Sequence, residues 1–325
     1  MIVKLLYQQK SGALFPGVRY NTNKVDRNKG ELMKVANFGV LQGFSNLRPQ
    51  DYVNYLKTLA ALNPAVKKPQ FHAVISGKGH LYDKARLTAI AENWLKEMGY
   101  GRQPYLIIYH KDTENNHVHI VSSRVDRKGE KINSAYEKIR SQKNMSKVLG
   151  YEYASAYRIS TKAQYFMLLE QAGFAGLDPD HKRIEDCIAA YKPDVDRIKA
   201  LREVLLGLRD EKEMLPVLKD QHSVELLFHA AEGKQPYGYT IIDHQSLTVY
   251  KGSEVLGLKE LLGDRDRNQV IFPNRELKEP GMQQISNNPL RTIHVQSIWI
   301  AGDVDDQQIH GMRRRRQRKA RTNTR

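Results

Sequence analysis

The residues best suited to chemistry lie in one short stretch, HKDTENNHVH, running from His110 to His119. On a β-strand, side chains two apart share a face, so His117 and His119 present both imidazoles on one side, flanking Val118. His110 ends the preceding apolar run, and a polar turn folds it back beside His117. Neutral imidazole is the commonest side-chain metal ligand. Three of them leave coordination positions open for water or substrate, the mark of a catalytic rather than a structural site. Without a nearby thiolate, the ions favoured are Mn²⁺ and Mg²⁺, with Zn²⁺, Co²⁺ and Ni²⁺ as alternatives. Asp112 and Glu114 lie in the turn, where either can accept a hydrogen bond from a ligand imidazole. The competing reading is an exposed polar hairpin. It suits Asp112, Glu114, Asn115 and Asn116. It does not suit His117 and His119, which alternate with Val118, Ile120 and Val121 at half-buried positions where uncompensated imidazoles are costly.

The elements that must hold these histidines follow from periodicity. Residues 105–110, YLIIYH, and 117–125, HVHIVSSRV, read as strands. The six polar residues between them imply an antiparallel hairpin. Residues 2–7 and 71–76 read as two more strands. Pro49 opens a helix with apolar positions at Tyr52, Val53, Leu56, Leu59 and Ala60. Residues 83–98 form an amphipathic helix closed by Gly99. The segment between Tyr7 and Gly30, rich in Gly, Asn and Lys, reads as a loop with at most one helical turn. A long polar helix is expected over 134–158. The expected fold class is α+β: an antiparallel-rich central sheet with helices packed on one face, a smaller α+β region after it, and a disordered basic tail.

Charge narrows the partners. The 325 residues carry 52 basic and 36 acidic side chains, a formal net charge of +16. Residues 1–160 hold 26 basic against 12 acidic groups, and residues 161–310 hold 18 against 24. Residues 311–325 carry eight basic groups and no acid. A basic first region and a basic tail around an acidic middle point to a polyanion, nucleic acid above all. No stretch approaches the roughly 18 apolar residues of a membrane span. The first ten residues lack the apolar run and cleavage site of a secretory signal. Cys187 is the only cysteine, which excludes an intrachain disulfide and a thiolate cluster and fits a reducing, cytoplasmic compartment.

With these residues in hand, the chain resembles a known family. The run H-x-D-x-x-x-N-H-V-H-I on a hairpin, preceded by F-H-x-V-x-S and an N-terminal tyrosine segment, is similar to the conjugative relaxases. These are mobilization nucleases of plasmids and mobilizable transposons within the HUH endonucleases. The resemblance covers residues 1–160 and departs from the family at Asn116, where a proline is usual. It implies a three-histidine divalent-metal site at His110, His117 and His119. It also implies a tyrosine that nicks and rejoins one DNA strand at an origin of transfer. The matching tyrosine motif is Gly17-Val18-Arg19-Tyr20-Asn21, so Tyr20 is the expected nucleophile, with Tyr7 as competitor. Asp112 or His72 is expected to take its proton. Ser76 matches the second motif, implied to bind or orient DNA. Lys24, Arg27, Lys29 and Lys34 are set to contact backbone phosphates. The family further implies single-stranded and origin DNA, accessory mobilization proteins and a coupling protein as partners, and passage to a recipient cell bound to DNA.

Two other classes fit the same residues. Rolling-circle initiators and single-strand transposases place the tyrosine after the histidines, where Tyr136, Tyr153 and Tyr157 stand. A noncatalytic DNA-binding protein would use the metal only to brace the hairpin. The expected organisation is a nuclease domain over 1–160, an accessory region over 161–310 and a basic tail over 311–325. The middle region carries no motif that defines a chemistry, and its histidines are scattered.

Overall fold

The computed structural model describes residues 1–7, 14–211, 213–231 and 234–263. The basic tail and residues 264–310 of the expected accessory region lie outside these. The chain divides into two compact units. One comprises Met1–Glu152 with Phe174–Pro179, and the other Tyr153–Gly173 with the residues from Asp180 onward.

The first unit runs β1 (Ile2–Leu5), α1 (Pro16–Asp26), β2 (Gly30–Ala36), a 3-10 turn (Gly39–Gly43), α2 (Pro49–Ala61), β3 (Gln70–Ser76), α3 (Lys84–Met98), β4 (Tyr105–His110), β5 (His117–Ser123) and α4 (Glu137–Val148). Its five strands form one sheet in the order β1-β3-β5-β4-β2, every pair antiparallel. The class is the α+β architecture expected. The helices, however, pack on both faces. Alternation along β4 and β5 sends Leu106, Ile108 and Val121 to one face, where Phe15 and Val18 of the α1 region and Tyr52, Val53 and Leu56 of α2 cover them. Phe71 points to the other face and stacks on Tyr100 at 3.9 Å and on Trp94 of α3 at 6.1 Å. Trp94 Nε1 donates to the Ser141 carbonyl at 2.9 Å and so ties α4 to α3.

Two elements were not legible as such. The segment expected to be loop contains an 11-residue helix, α1. Phe15 precedes it in the left-handed region at φ 58°, and Pro16 opens it. Asn21 and Asn23 are weak helix formers, so propensity argues against this helix. Tertiary docking supplies what propensity does not. The Gly17 amide donates to Gln70 Oε1 of β3 at 2.8 Å. A Cβ at Gly17 would stand 2.9 Å from that oxygen and 3.0 Å from His72 Nδ1, so only glycine allows the approach. The second element is β2, an edge strand whose register slips between Leu32 and Lys34. That bulge breaks the two-residue alternation by which strands are recognised. The helix expected over 134–158 is two helices, α4 and a short α5 (Tyr151–Ser155), separated at Gly150, which sits at φ +79°.

The second unit continues with α6 (Lys162–Gln171), α7 (His181–Ala189), α8 (Val195–Leu208), α9 (Met214–His222), β6 (Val224–His229), β7 (Gly238–Asp243), β8 (Thr248–Lys251), α10 (Gly252–Val255) and α11 (Leu258–Leu262). Its three antiparallel strands, in the order β6-β7-β8, pack Leu226, Ile241 and Tyr250 against Leu201 and Leu205 of α8. Arg197 grips the buried Asp243 carboxylate through two bonds of 2.7 and 3.0 Å. No helix among the described residues is long and apolar enough to cross a membrane.

Candidate functional site

The β4–β5 hairpin brings the three histidines together. His110 pairs directly with His117, and His119 pairs with Ile108, so all three side chains leave the sheet on the α1 face. The rings of His110 and His119 stack at 4.1 Å, and that of His117 lies 5.1 Å from His110 and 5.4 Å from His119. One nitrogen from each falls within 4.8 Å of the others. His110 and His119 are buried, and His117 is partly exposed at the rim. Gly30 of β2 sits opposite His110, where a Cβ would press to 3.0 Å on the Tyr109 carbonyl.

Hydrogen bonding orients the rings. His117 Nδ1 lies 3.0 Å from the Asn115 carbonyl and 3.0 Å from Thr113 Oγ1. A carbonyl only accepts, so Nδ1 carries the proton and Nε2 keeps its lone pair. His119 Nδ1 lies 3.0 Å from His72 Nε2 on the neighbouring strand. If His119 donates there, its Nε2 is likewise free to coordinate. The ring supports are therefore a carbonyl, a threonine and His72, not the acids of the turn. Neither Asp112 nor Glu114 hydrogen-bonds a histidine ring among the described residues. Asn116 anchors the turn. Its amide donates to the Tyr82 carbonyl at 2.8 Å, and its Oδ1 accepts from Tyr109 OH at 2.6 Å. Its backbone pairs with Gly77 and Gly79.

The electrostatics suit coordination. Burial, with the neighbouring histidines adding to it, lowers His110 to about 4 and His119 to about 2. Burial likewise brings His72 to about 4. These rings are neutral near pH 7, with lone pairs available. His110 Nε2 is buried with no hydrogen-bond partner among the described residues. An orphaned buried nitrogen costs about 1–3 kcal/mol unless something takes the lone pair. Three converged imidazoles, one of them with an orphaned nitrogen, fit a divalent cation with open positions.

Tyr20 lies over this cluster. Its ring is 5.9 Å from that of His119 and 6.1 Å from that of His110, and the residue is 51% exposed. The docking of Gly17 onto β3 sets this position, because Tyr20 follows about one helical turn later. One further turn on, Lys24 holds its ammonium 6.0 Å from the Tyr20 ring centroid and pairs with the Asp112 carboxylate. Their hydrogen bond raises the Lys24 pKa and lowers that of Asp112. Asp112 thus holds Lys24 rather than a histidine, and its depressed pKa makes it a weak base for the Tyr20 proton.

The other expected residues are distributed differently. Ser76 sits directly across from His117 on β3, on the histidine face. Arg27 and Lys29 are exposed just beyond α1, and the Lys29 carbonyl accepts from the Lys111 amide at 2.9 Å, beside the turn. Lys34 is not brought to the site: it pairs at 3.5 Å with Glu92 of α3, on the opposite face. Tyr7 follows the end of β1 that pairs with Ala73, at the end of the sheet away from His117. Tyr136 precedes α4 at that same far end. Tyr153 and Tyr157 belong to the second unit, where burial raises both phenols and Tyr157 OH lies 2.7 Å from His244 Nδ1. The supports missed from sequence were Gln70, Thr113 and the Asn115 carbonyl. The signal available for the first was a polar residue two before His72 on a strand with one face to cover.

Residues 20–154 match the family model described as Relaxase: MobA/VirD2-like, nuclease domain. No curated protein and no solved structure matches the chain. The match begins at the tyrosine over the histidines and spans the whole hairpin, β3 and the helices that brace them. Over residues 20–154 the chain is therefore similar to the MobA/VirD2-like relaxase nuclease domain.

Proposed function

We propose that the first unit nicks and rejoins one DNA strand at an origin of transfer, with Tyr20 as the covalent nucleophile. The observation that carries this reading is the ring of Tyr20 within 6.1 Å of two imidazoles of a converged three-histidine cluster. The Tyr20 hydroxyl oxygen attacks phosphorus, and the bond from phosphorus to the 3′ oxygen breaks. The products are a 5′-phosphotyrosine and a free 3′-OH, the phenolic proton passing in net to the leaving oxygen. The phosphodiester energy is kept, so a 3′-OH can later reverse the step without a nucleotide cofactor.

His110, His117 and His119 would hold a divalent cation, which when bound supplies Lewis-acid charge to the non-bridging phosphate oxygens. Mn²⁺ and Mg²⁺ are the ions we assign first. A phenol is a weak nucleophile until its proton leaves. Lys24 stands beside the ring, where its positive charge meets negative charge developing on the attacking oxygen. Asp112 acts by holding Lys24 in place. Ser76, Arg27 and Lys29 border the histidine face and line the approach for the DNA backbone. Accessory mobilization proteins and a coupling protein complete the expected partners, in the cytoplasm of a donor cell.

The test is direct. The protein is incubated with Mn²⁺ and labelled single-stranded DNA carrying the origin, and the product is resolved under denaturing conditions. A covalent adduct mapped by mass spectrometry to Tyr20 is the expected result. DNA bound but never joined would leave a noncatalytic binding protein.

A further inference from the structure

The far end of the first unit's sheet holds an open cleft of about 790 Å³, between the loop after α2, Tyr7 just beyond β1 and the start of α4. Its lining begins one residue past the end of β5, at Arg124, and β5's rise of roughly 3.3 Å per residue puts that end about 20 Å along the sheet from His117. Four lysines line it, Lys67, Lys68, Lys131 and Lys138. All four are exposed, and none forms an ion pair among the described residues. The single acid in the lining, Glu137, is neutralised by Arg124 through two bonds of 2.7 and 2.8 Å. The cleft is therefore strongly positive.

Two tyrosines open into it. Tyr7 is 57% exposed and Tyr136 is 80% exposed. Tyr136 is also held at φ 48°, in the left-handed region that a bulky aromatic residue rarely occupies. Tyr136 holds this conformation as the residue that starts α4, its carbonyl accepting from the Arg140 amide at 2.9 Å, and the turn leaves its ring in water beside the lysines.

We infer that this cleft is a second binding site for single-stranded DNA, with Tyr7 and Tyr136 stacking on bases and the four lysines meeting phosphates. Exposed aromatic faces interleaved with unpaired cations are what a single strand needs, because every base has a face to stack and every nucleotide a charge. At the 3.4 Å spacing of stacked nucleotides, 20 Å corresponds to about six residues of DNA. A strand entering the histidine site thus has a second foothold within reach. The inference rests on the nuclease reading of the histidine site and adds a surface that the cleavage chemistry does not use.

The experiment measures anisotropy of fluorescein-labelled oligo-dT of 8 and 30 nucleotides with the full chain in EDTA, so that no cleavage intervenes. Wild type binds the longer probe more tightly. Tyr7→Ala with Tyr136→Ala weakens the 30-mer about tenfold or more. Tyr7→Phe with Tyr136→Phe keeps the rings and retains wild-type affinity. Lys67→Ala with Lys68→Ala makes the slope of log affinity against log salt shallower by about 1.4. Mn²⁺ binding, unchanged in every variant, shows that each is folded. Alanine variants that bind the 30-mer like wild type would overturn the second site, as would an acidic protein as its occupant, which leaves DNA affinity untouched. Either result leaves the histidine site standing. The nuclease reading itself fails separately, if wild type forms no adduct with origin DNA.

Discussion

The Tyr20 ring stands 5.9 Å from the ring of His119, tilted by 49°. The two residues reach this contact by different routes. His119 arrives through strand register, one residue at a time along β5. Tyr20 arrives through a helix whose first turn is fastened to Gln70, 53 positions later in the chain. The relationship puts a phenol at the mouth of a three-histidine cluster whose ring nitrogens converge closely enough for one cation.

Removing only the phenolic oxygen is the sharpest test of the nucleophile. Tyr20→Phe should abolish the covalent adduct while metal and single-stranded DNA binding stay within about twofold of wild type. Tyr20 is half exposed, so stability should move by no more than about 0.5 kcal/mol. An adduct that persists in Tyr20→Phe and disappears in Tyr136→Phe, Tyr153→Phe or Tyr157→Phe would move the protein to the initiator or transposase class.

Calorimetric titration with Mn²⁺ checks the histidine cluster. One site per chain is expected, with affinity falling at least tenfold in His110→Ala and lost in the His117→Ala, His119→Ala double variant. DNA binding should survive both, because backbone contacts come mainly from lysine and arginine. A double variant with full metal content would remove the cluster from the mechanism.

Lys24 and Asp112 can be separated by the rate of adduct formation. If the ammonium of Lys24 stabilises charge developing on the attacking oxygen, Lys24→Met should slow the adduct about tenfold or more at saturating DNA. Asp112→Asn should slow it less, since the lysine remains though loosened. A larger loss in Asp112→Asn than in Lys24→Met would instead make Asp112 the base.

Stability without metal should depend on acid. His72 and His110 sit near 4 and His119 near 2 in the folded chain, against about 6.5 unfolded. Below pH 6.5 the unfolded chain binds protons that the native chain refuses, so stability is full above that pH and falls as pH drops toward 4. His72 alone accounts for about 3 kcal/mol over that range. Urea unfolding of EDTA-treated protein at pH 7.5, 6 and 5 measures it. A midpoint that does not move would show that these rings titrate normally.

Arg124 and Glu137 form a buried pair at the far end of the sheet. Glu137→Gln leaves the guanidinium buried without its counter-charge, and should cost on the order of 3–5 kcal/mol. Urea denaturation reads this directly, and a loss below about 1 kcal/mol would mean that water reaches the arginine.

Much of the site could be read from the chain itself. The hairpin, its six-residue turn and the common face of His117 and His119 follow from a two-residue period, a local property. So do α2 and α3, opened by Pro49 and Asp83, the latter helix closed by Gly99. The tyrosine was named through family resemblance, not through its surroundings. What only the tertiary structure decided has one physical character. That α1 is a helix, that Asp112 serves Lys24, that His72 supports His119 and that Lys34 faces away all depend on residues roughly 50 to 90 positions apart. Local propensity is blind to such partners, and in α1 it even opposed the outcome. The Gln70 bond and the absent Cβ of Gly17 outweighed the poor helix formers around them, and Tyr20 came to rest over the histidines because of it.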